Sequence, residues 1–219
     1  MPAPVTSQVF EYKVTHAVYG DIGTYINVVE HAGDTVAVHS TLDITVRLLG
    51  LPLYREAGQR LERWHGDRLV EFQSVTDKNG TRMEVTGRAH GDVFLVTGPW
   101  GTTEAPKDIR PSNPWSAKML QADTVMSTST GRIYPARVSG GGEGTVTVNG
   151  QPRKLRQFDV VTDKQEFLWL DEQGVPIAFG TQDNGSRVEF TLVRMSRGTI
   201  GTAFRLDKLP GTTTAANDP

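Results

Sequence analysis

Turns interrupt this sequence at short intervals, and between them apolar and polar residues alternate. In "VFEYKVTHAV" the alternation puts Phe10, Tyr12, Val14, His16 and Val18 on one face. In "VAVHSTLDITVRLL" Val38, Leu42, Ile44, Val46 and Leu48 share a face, and His39, Thr41, Asp43, Thr45 and Arg47 share the other. A period of two belongs to strands. "YGDIG", "AGD", "GLP", "DKNG", "DEQG" and "QDNG" supply the turns. With 23 glycines and 12 prolines as punctuation, helical periodicity is nearly absent. The pattern predicts an all-β chain, a single antiparallel β-barrel or strongly rolled sheet of about twelve strands.

One stretch breaks the rhythm. Residues 99–131, "PWGTTEAPKDIRPSNPWSAKMLQADTVMSTSTG", hold four prolines and no alternation. An excursion this long in a compact β domain reads as a lid or plug. "SNPWSAKMLQ" within it reads as one short helix, capped by Ser112 or Asn113 with Pro114 in the first turn. The expected organisation is an N-terminal extension over 1–7, a β-barrel domain over 8–208, and a small, polar, disordered tail over 209–219.

Composition excludes several classes. At 37% hydrophobic residues the 219-residue chain can build a core. Its net charge is −2, with both signs interspersed, which leaves no footprint for nucleic acid. No run of apolar residues is long enough for a transmembrane segment. Without cysteine there are no disulfides, thiolate metal sites or cysteine nucleophiles. The five histidines lack the close spacing of a metal motif, so no metal site is expected. No glycine-rich phosphate loop opens a helix and no G-x-S-x-G occurs, so neither a nucleotide cofactor nor an elbow serine is expected.

The most charged strand pair is "RLERWHGDRLVEFQ", residues 60–73. With Gly66-Asp67 as a two-residue hairpin loop, His65 faces Arg68, Trp64 faces Leu69, Glu62 faces Glu71 and Leu61 faces Phe72. Carried through "DKNG", the register sets Phe72 against Val85. It makes Leu61, Val70, Phe72, Met83 and Val85 a core face. Opposed like charges are unfavourable unless an arginine bridges them, water screens them, or one carboxyl keeps its proton. The last case makes Glu62 and Glu71 a candidate acid/base pair, with Arg60 on the same face. The alternative is an arginine-laced outer face. His16 is either a further base in the lumen or a hydrogen-bonded core residue. Tyr12, Arg55, Arg60, Trp64, Trp115 and Trp169 complete the candidate binding residues; the tryptophans could stack on a ligand or simply be buried.

"YGDIGTY", "LGLPLYREAGQRLERWHGDRLVEFQSVTDKNG", "PSNPWS" and "LWLDEQGVPIAF" resemble a bacterial family of unknown function, DUF6134. The layout is similar to the DUF3108 group and, more distantly, to lipoprotein-carrier (LolA/LolB-like) half-barrels. Members of such families look exported, so the resemblance implies a periplasmic or secreted protein. The N-terminus "MPAPVTSQVF" has neither a charged n-region nor an apolar h-region. Either the protein is cytoplasmic, or a signal peptide has been replaced by a start methionine. The resulting expectation is an extracytoplasmic barrel that binds a small-molecule or lipid-like ligand. The alternative is a cofactor-free lyase, isomerase or hydrolase using general acid/base residues in the cavity.

Overall fold

A computed structural model describes residues 5–148, 150–183 and 186–199. Part of the expected N-terminal extension and the whole expected tail lie outside them. The chain forms β1 (Thr6–His16), β2 (Gly20–Ala32), β3 (Thr35–Leu48), β4 (Leu51–His65), β5 (Arg68–Lys78), β6 (Thr81–His90), β7 (Val93–Gly98) and β8 (Gly101–Pro106). Short strands β9 (Arg110–Pro111), β10 (Thr124–Met126) and β11 (Ile133–Pro135) follow. The rest comprises β12 (Arg137–Val148), β13 (Gln151–Val161), β14 (Gln165–Leu170), β15 (Pro176–Asp183) and β16 (Ser186–Thr199).

Thirteen strands form one antiparallel sheet in the order β12-β13-β14-β15-β16-β1-β2-β3-β4-β5-β6-β7-β8. Every neighbour is also a neighbour in sequence, except at the join of β16 to β1. The fold is therefore all-β and rolled, and β12 and β8 remain as edges. Gly23 and Gly180 let neighbouring backbones approach closely. A Cβ at Gly23 would lie 2.0 Å from the Asp43 carbonyl oxygen, and one at Gly180 would lie 2.0 Å from that of Val188.

The roll is filled by the segment between β8 and β12. Asn113 hydrogen-bonds Tyr25 on β2, Ser40 on β3 and Glu62 on β4. Ser112, Pro114 and Met119 line a cavity of about 20 Å³ with Val160, Phe167 and Phe179 from β13, β14 and β15. One segment thus touches strands from both halves of the sheet. It differs from the sequence expectation in two ways. Gly101–Pro106 is a paired strand, not loop, so the irregular part starts after Pro106. The helix is a single 3₁₀ turn over Ala117–Gln121, capped by Ser116 rather than by Ser112 or Asn113. Asn113 is drawn into the core instead.

The β4–β5 hairpin turns at Gly66-Asp67, with Trp64 opposite Leu69 and His65 opposite Arg68 as expected. Beyond that, the expected register fails by one residue. A bulge shifts the pairing, so Arg63 faces Glu71, Glu62 faces Phe72 and Leu61 faces Gln73. Across β5 and β6, Phe72 faces Gly87, and Val85 faces Ser74. The bulge has a packing cause. It lets Leu69 and Phe72, three positions apart, both point inward, where each is fully buried. Strict alternation would have turned Glu71 in and Phe72 out. The core face therefore keeps Phe72 and Val85, while Leu61 turns outward and Glu62 takes its place inside.

Candidate functional site

Three rows of side chains cross the concave face. One runs Val29, Val38, Glu62, Phe72, Gly87, Val96. The next runs Phe10, Asn27, Ser40, Arg60, Ser74, Val85, and the third Tyr12, Tyr25, Leu42, Gly58, Thr76, Met83. The middle row is polar over four consecutive strands, inside a core that is otherwise aliphatic and aromatic. Burying polar groups is costly unless they are paired, so each partner matters.

Glu62 is completely buried. Its Oε1 accepts from Asn113 Nδ2 at 2.8 Å, and its Oε2 accepts from Trp64 Nε1 at 3.0 Å and Trp115 Nε1 at 2.9 Å. Burial pushes its pKa up, these three donors and the nearby Arg60 pull it down, and the balance stands at about 7. Asn113 continues the network: Tyr25 donates to its Oδ1 at 2.6 Å, and Ser40, which accepts from Asn113 at 3.1 Å, donates to Asn27 Oδ1 at 2.6 Å. Trp64 and Trp115 meet edge to face with centroids 6.0 Å apart, and the Arg110 guanidinium lies 5.0 Å from the Trp64 ring centre. The space left among Val36, Trp64, Arg110, Asn113, Trp115 and Met119 is about 30 Å³. That is room for water, not for an organic ligand.

Arg60, two positions along the same face, is different. Among the described residues no carboxylate forms an ion pair with it. Its Nη1 reaches Tyr25 Oη at 3.5 Å, its guanidinium lies 5.9 Å from that ring, and its Nε is buried without a partner. Asn27 Nδ2, Ser74 Oγ and Thr76 Oγ1, in the same and the adjoining row, are also buried and unpaired. Buried Gly58 follows along β4, then half-buried Glu56 and Tyr54 toward the β3–β4 tip. Tyr54 Oη donates to Glu56 Oε2 there.

The other expected residues lie elsewhere. Glu71 lies on the outer face of β5, bonded to Arg63 at 3.0 Å and to Gln73 at 2.7 Å, so the opposed Glu62–Glu71 pair does not form. Eight positions of strand separate His16 from Gln8, the β1 residue in the Glu62 row, which amounts to roughly 26 Å. His16 is half-buried; its Nδ1 accepts from the Val18 amide and its Nε2 meets Ser186 Oγ at 2.7 Å. Tyr12 is buried and donates to the Pro176 carbonyl. Arg55 is exposed near the tip of the β3–β4 hairpin, and half-buried Trp169 packs over Gly144. The structure thus brings together Arg60, Glu62, Trp64 and Trp115, and leaves Glu71, His16, Arg55 and Trp169 outside the cluster. Asn27, Ser40, Asn113 and Arg110 were missed from the sequence. Only the odd Asn27 in "YINVVEH" and Ser40 in "VAVHSTLDI", each a polar residue at an inward position, could have marked them.

Residues 12–193 match the family described as domain of unknown function DUF6134. The chain belongs to this family. The DUF6134 chain is also similar to a solved structure, the crystal structure of a beta-barrel-like protein of domain of unknown function DUF1849 from Brucella abortus. The TM-score is 0.63 at 9% identity, covering 89% of this chain and 98% of that one. At that identity the likeness is one of fold. A search of curated proteins finds no match.

Proposed function

We propose that this DUF6134 protein is an extracytoplasmic ligand-binding barrel whose small-molecule or lipid-like ligand carries an anionic group. The observation that carries this reading is Arg60: a cation on the concave face that forms no ion pair among the described residues, beside three further unpaired polar groups. A guanidinium offers five donors and suits a carboxylate or phosphate. The periplasmic or secreted location rests on the family resemblance.

Thermal melting against a panel of medium-chain carboxylates and alkyl phosphates tests the reading. Wild type is stabilised by at least one compound, and Arg60→Met abolishes that shift. If no compound shifts wild type, or Arg60→Met responds equally, the reading is wrong. General acid/base catalysis without a cofactor is the second reading. It is favoured by one observation, a buried carboxyl pushed up to about 7 beside a cation. It now rests on Glu62 alone, and Glu62→Gln separates it from binding, since only catalysis requires the proton.

A further inference from the structure

We propose that the molecule docks on an anionic lipid surface through the β3–β4 hairpin tip. Between Arg47 and Arg55 the sequence reads Leu-Leu-Gly-Leu-Pro-Leu-Tyr. Leu48, Leu49, Leu51 and Leu53 are 51%, 95%, 70% and 53% exposed. The ladder of β2 on β3 ends at Ile44 and that of β5 on β4 at Glu56, with Asn79 of the β5–β6 turn still bonding Arg55, so residues 45–54 extend past both ladders as a two-stranded ribbon. The projection is roughly 13 Å.

The four leucines at the tip are bare, whereas Val46 and Tyr54 at its base pack on the core, with Lys78 over the Tyr54 ring. The ribbon's backbone pairs within the hairpin, Arg47 with Pro52 and Leu48 with Leu51, as entry into an apolar phase requires. The turn choice is informative. Leu49 and Gly50 both have positive φ, 51° and 83°. Asparagine or glycine suits the first of these positions, and a leucine there is strained. The fold gains nothing from that side chain, which packs on nothing. The adjoining β1–β2 tip adds Val18, 75% exposed, at the same end.

Charge completes the match. Arg47 and Arg55 flank the leucines, are exposed, and form no ion pair among the described residues. Glu56, next to Arg55, accepts from the Tyr54 hydroxyl. Two free guanidiniums at the base of an apolar tip sit at headgroup depth when the tip is immersed, and anionic lipid attracts them.

Co-sedimentation with vesicles tests this. Wild type should pellet with vesicles of phosphatidylcholine and phosphatidylglycerol in equal parts, and less with phosphatidylcholine alone. Leu49→Asn with Leu51→Thr should weaken binding about tenfold or more while keeping the wild-type melting curve. Should that pair melt early, Leu49→Asn alone serves, since its side chain is in solvent. Arg47→Gln with Arg55→Gln should abolish the preference for the anionic vesicle. Wild type that stays in the supernatant with both vesicles overturns the proposal, as do leucine variants that pellet like wild type. A concentration-dependent dimer in light scattering that Leu49→Asn dissociates, without vesicle binding, would assign the tip to a second copy and also overturn it.

Discussion

Trp115 Nε1 donates to Glu62 Oε2 at 2.9 Å, tying the plug to the wall of the roll across 53 residues of sequence. Trp64 donates to the same oxygen. Trp115→Phe keeps most of the ring and removes the donor. We expect a loss of about 1–3 kcal/mol in urea unfolding, the usual cost of stripping a partner from a buried charged acceptor. We also expect faster amide exchange across 107–136. Exchange unchanged there would mean that Trp115 does not hold the plug.

The Glu62 carboxyl makes a pH prediction. Its folded value, about 7, lies above the unfolded 4.5. A raised value means that the folded state holds the proton more tightly, so this contribution is complete below pH 4.5 and is lost as the pH rises through about 7. Relative to Glu62→Gln, wild type should lose about 3 kcal/mol between those limits. Burial pushes half-buried Glu166 up to about 7 as well, and comparing the two proteins cancels it. Parallel stability curves from pH 5 to 8 would show that Glu62 does not titrate there.

The hairpin loop grips the plug from outside. Arg110, nearly buried, donates to both the backbone carbonyl and the carboxylate of Asp67, at 2.7 and 2.6 Å. Lys118 also reaches that carboxylate, which is itself largely exposed. Asp67→Asn should cost less than about 1 kcal/mol, because water screens the pair and the carbonyl still accepts. Arg110→Met should cost more, about 2–4 kcal/mol, because it also removes the cover of Trp64 and leaves the carbonyl unpaired. Equal costs in denaturant unfolding would contradict this division.

Phe72 is fully buried between Glu62 and Gly87. Phe72→Ala should cost about 3–5 kcal/mol, as for other core phenylalanines. A loss under about 1 kcal/mol in guanidinium unfolding would place the ring outside the core.

Much of the fold was legible. Alternation and turn chemistry gave an all-β rolled sheet, the Gly66-Asp67 loop and the Trp64–Leu69 pair. The bulge next to that pair was not legible, because Val70 is as good a strand residue as any other. That single extra residue moved Glu62 from an expected ion cluster on a wall into a buried network, and it removed Glu71 from the site. Trp115, left open as a ligand-stacking or buried residue, packs against the core. Asn113 was invisible as a site residue, since a helix cap and a core hydrogen-bond hub look alike in one sequence. Ser40 and Asn27 bond through tertiary contacts that no local pattern encodes.

The place of β1 sets a constraint on how the molecule is made. It is paired on one side by β2 and on the other by β16, whose residues lie far away in sequence. During synthesis, β1 to β8 can assemble while the outer edge of β1 stays open until β16 pairs with it. An eleven-residue unpaired edge is an invitation to strand exchange and aggregation. Closing it late, over so long a loop, makes folding slow. The β1 edge stays exposed until β16 arrives, so truncation inside β16 should be far more damaging than truncation inside β8.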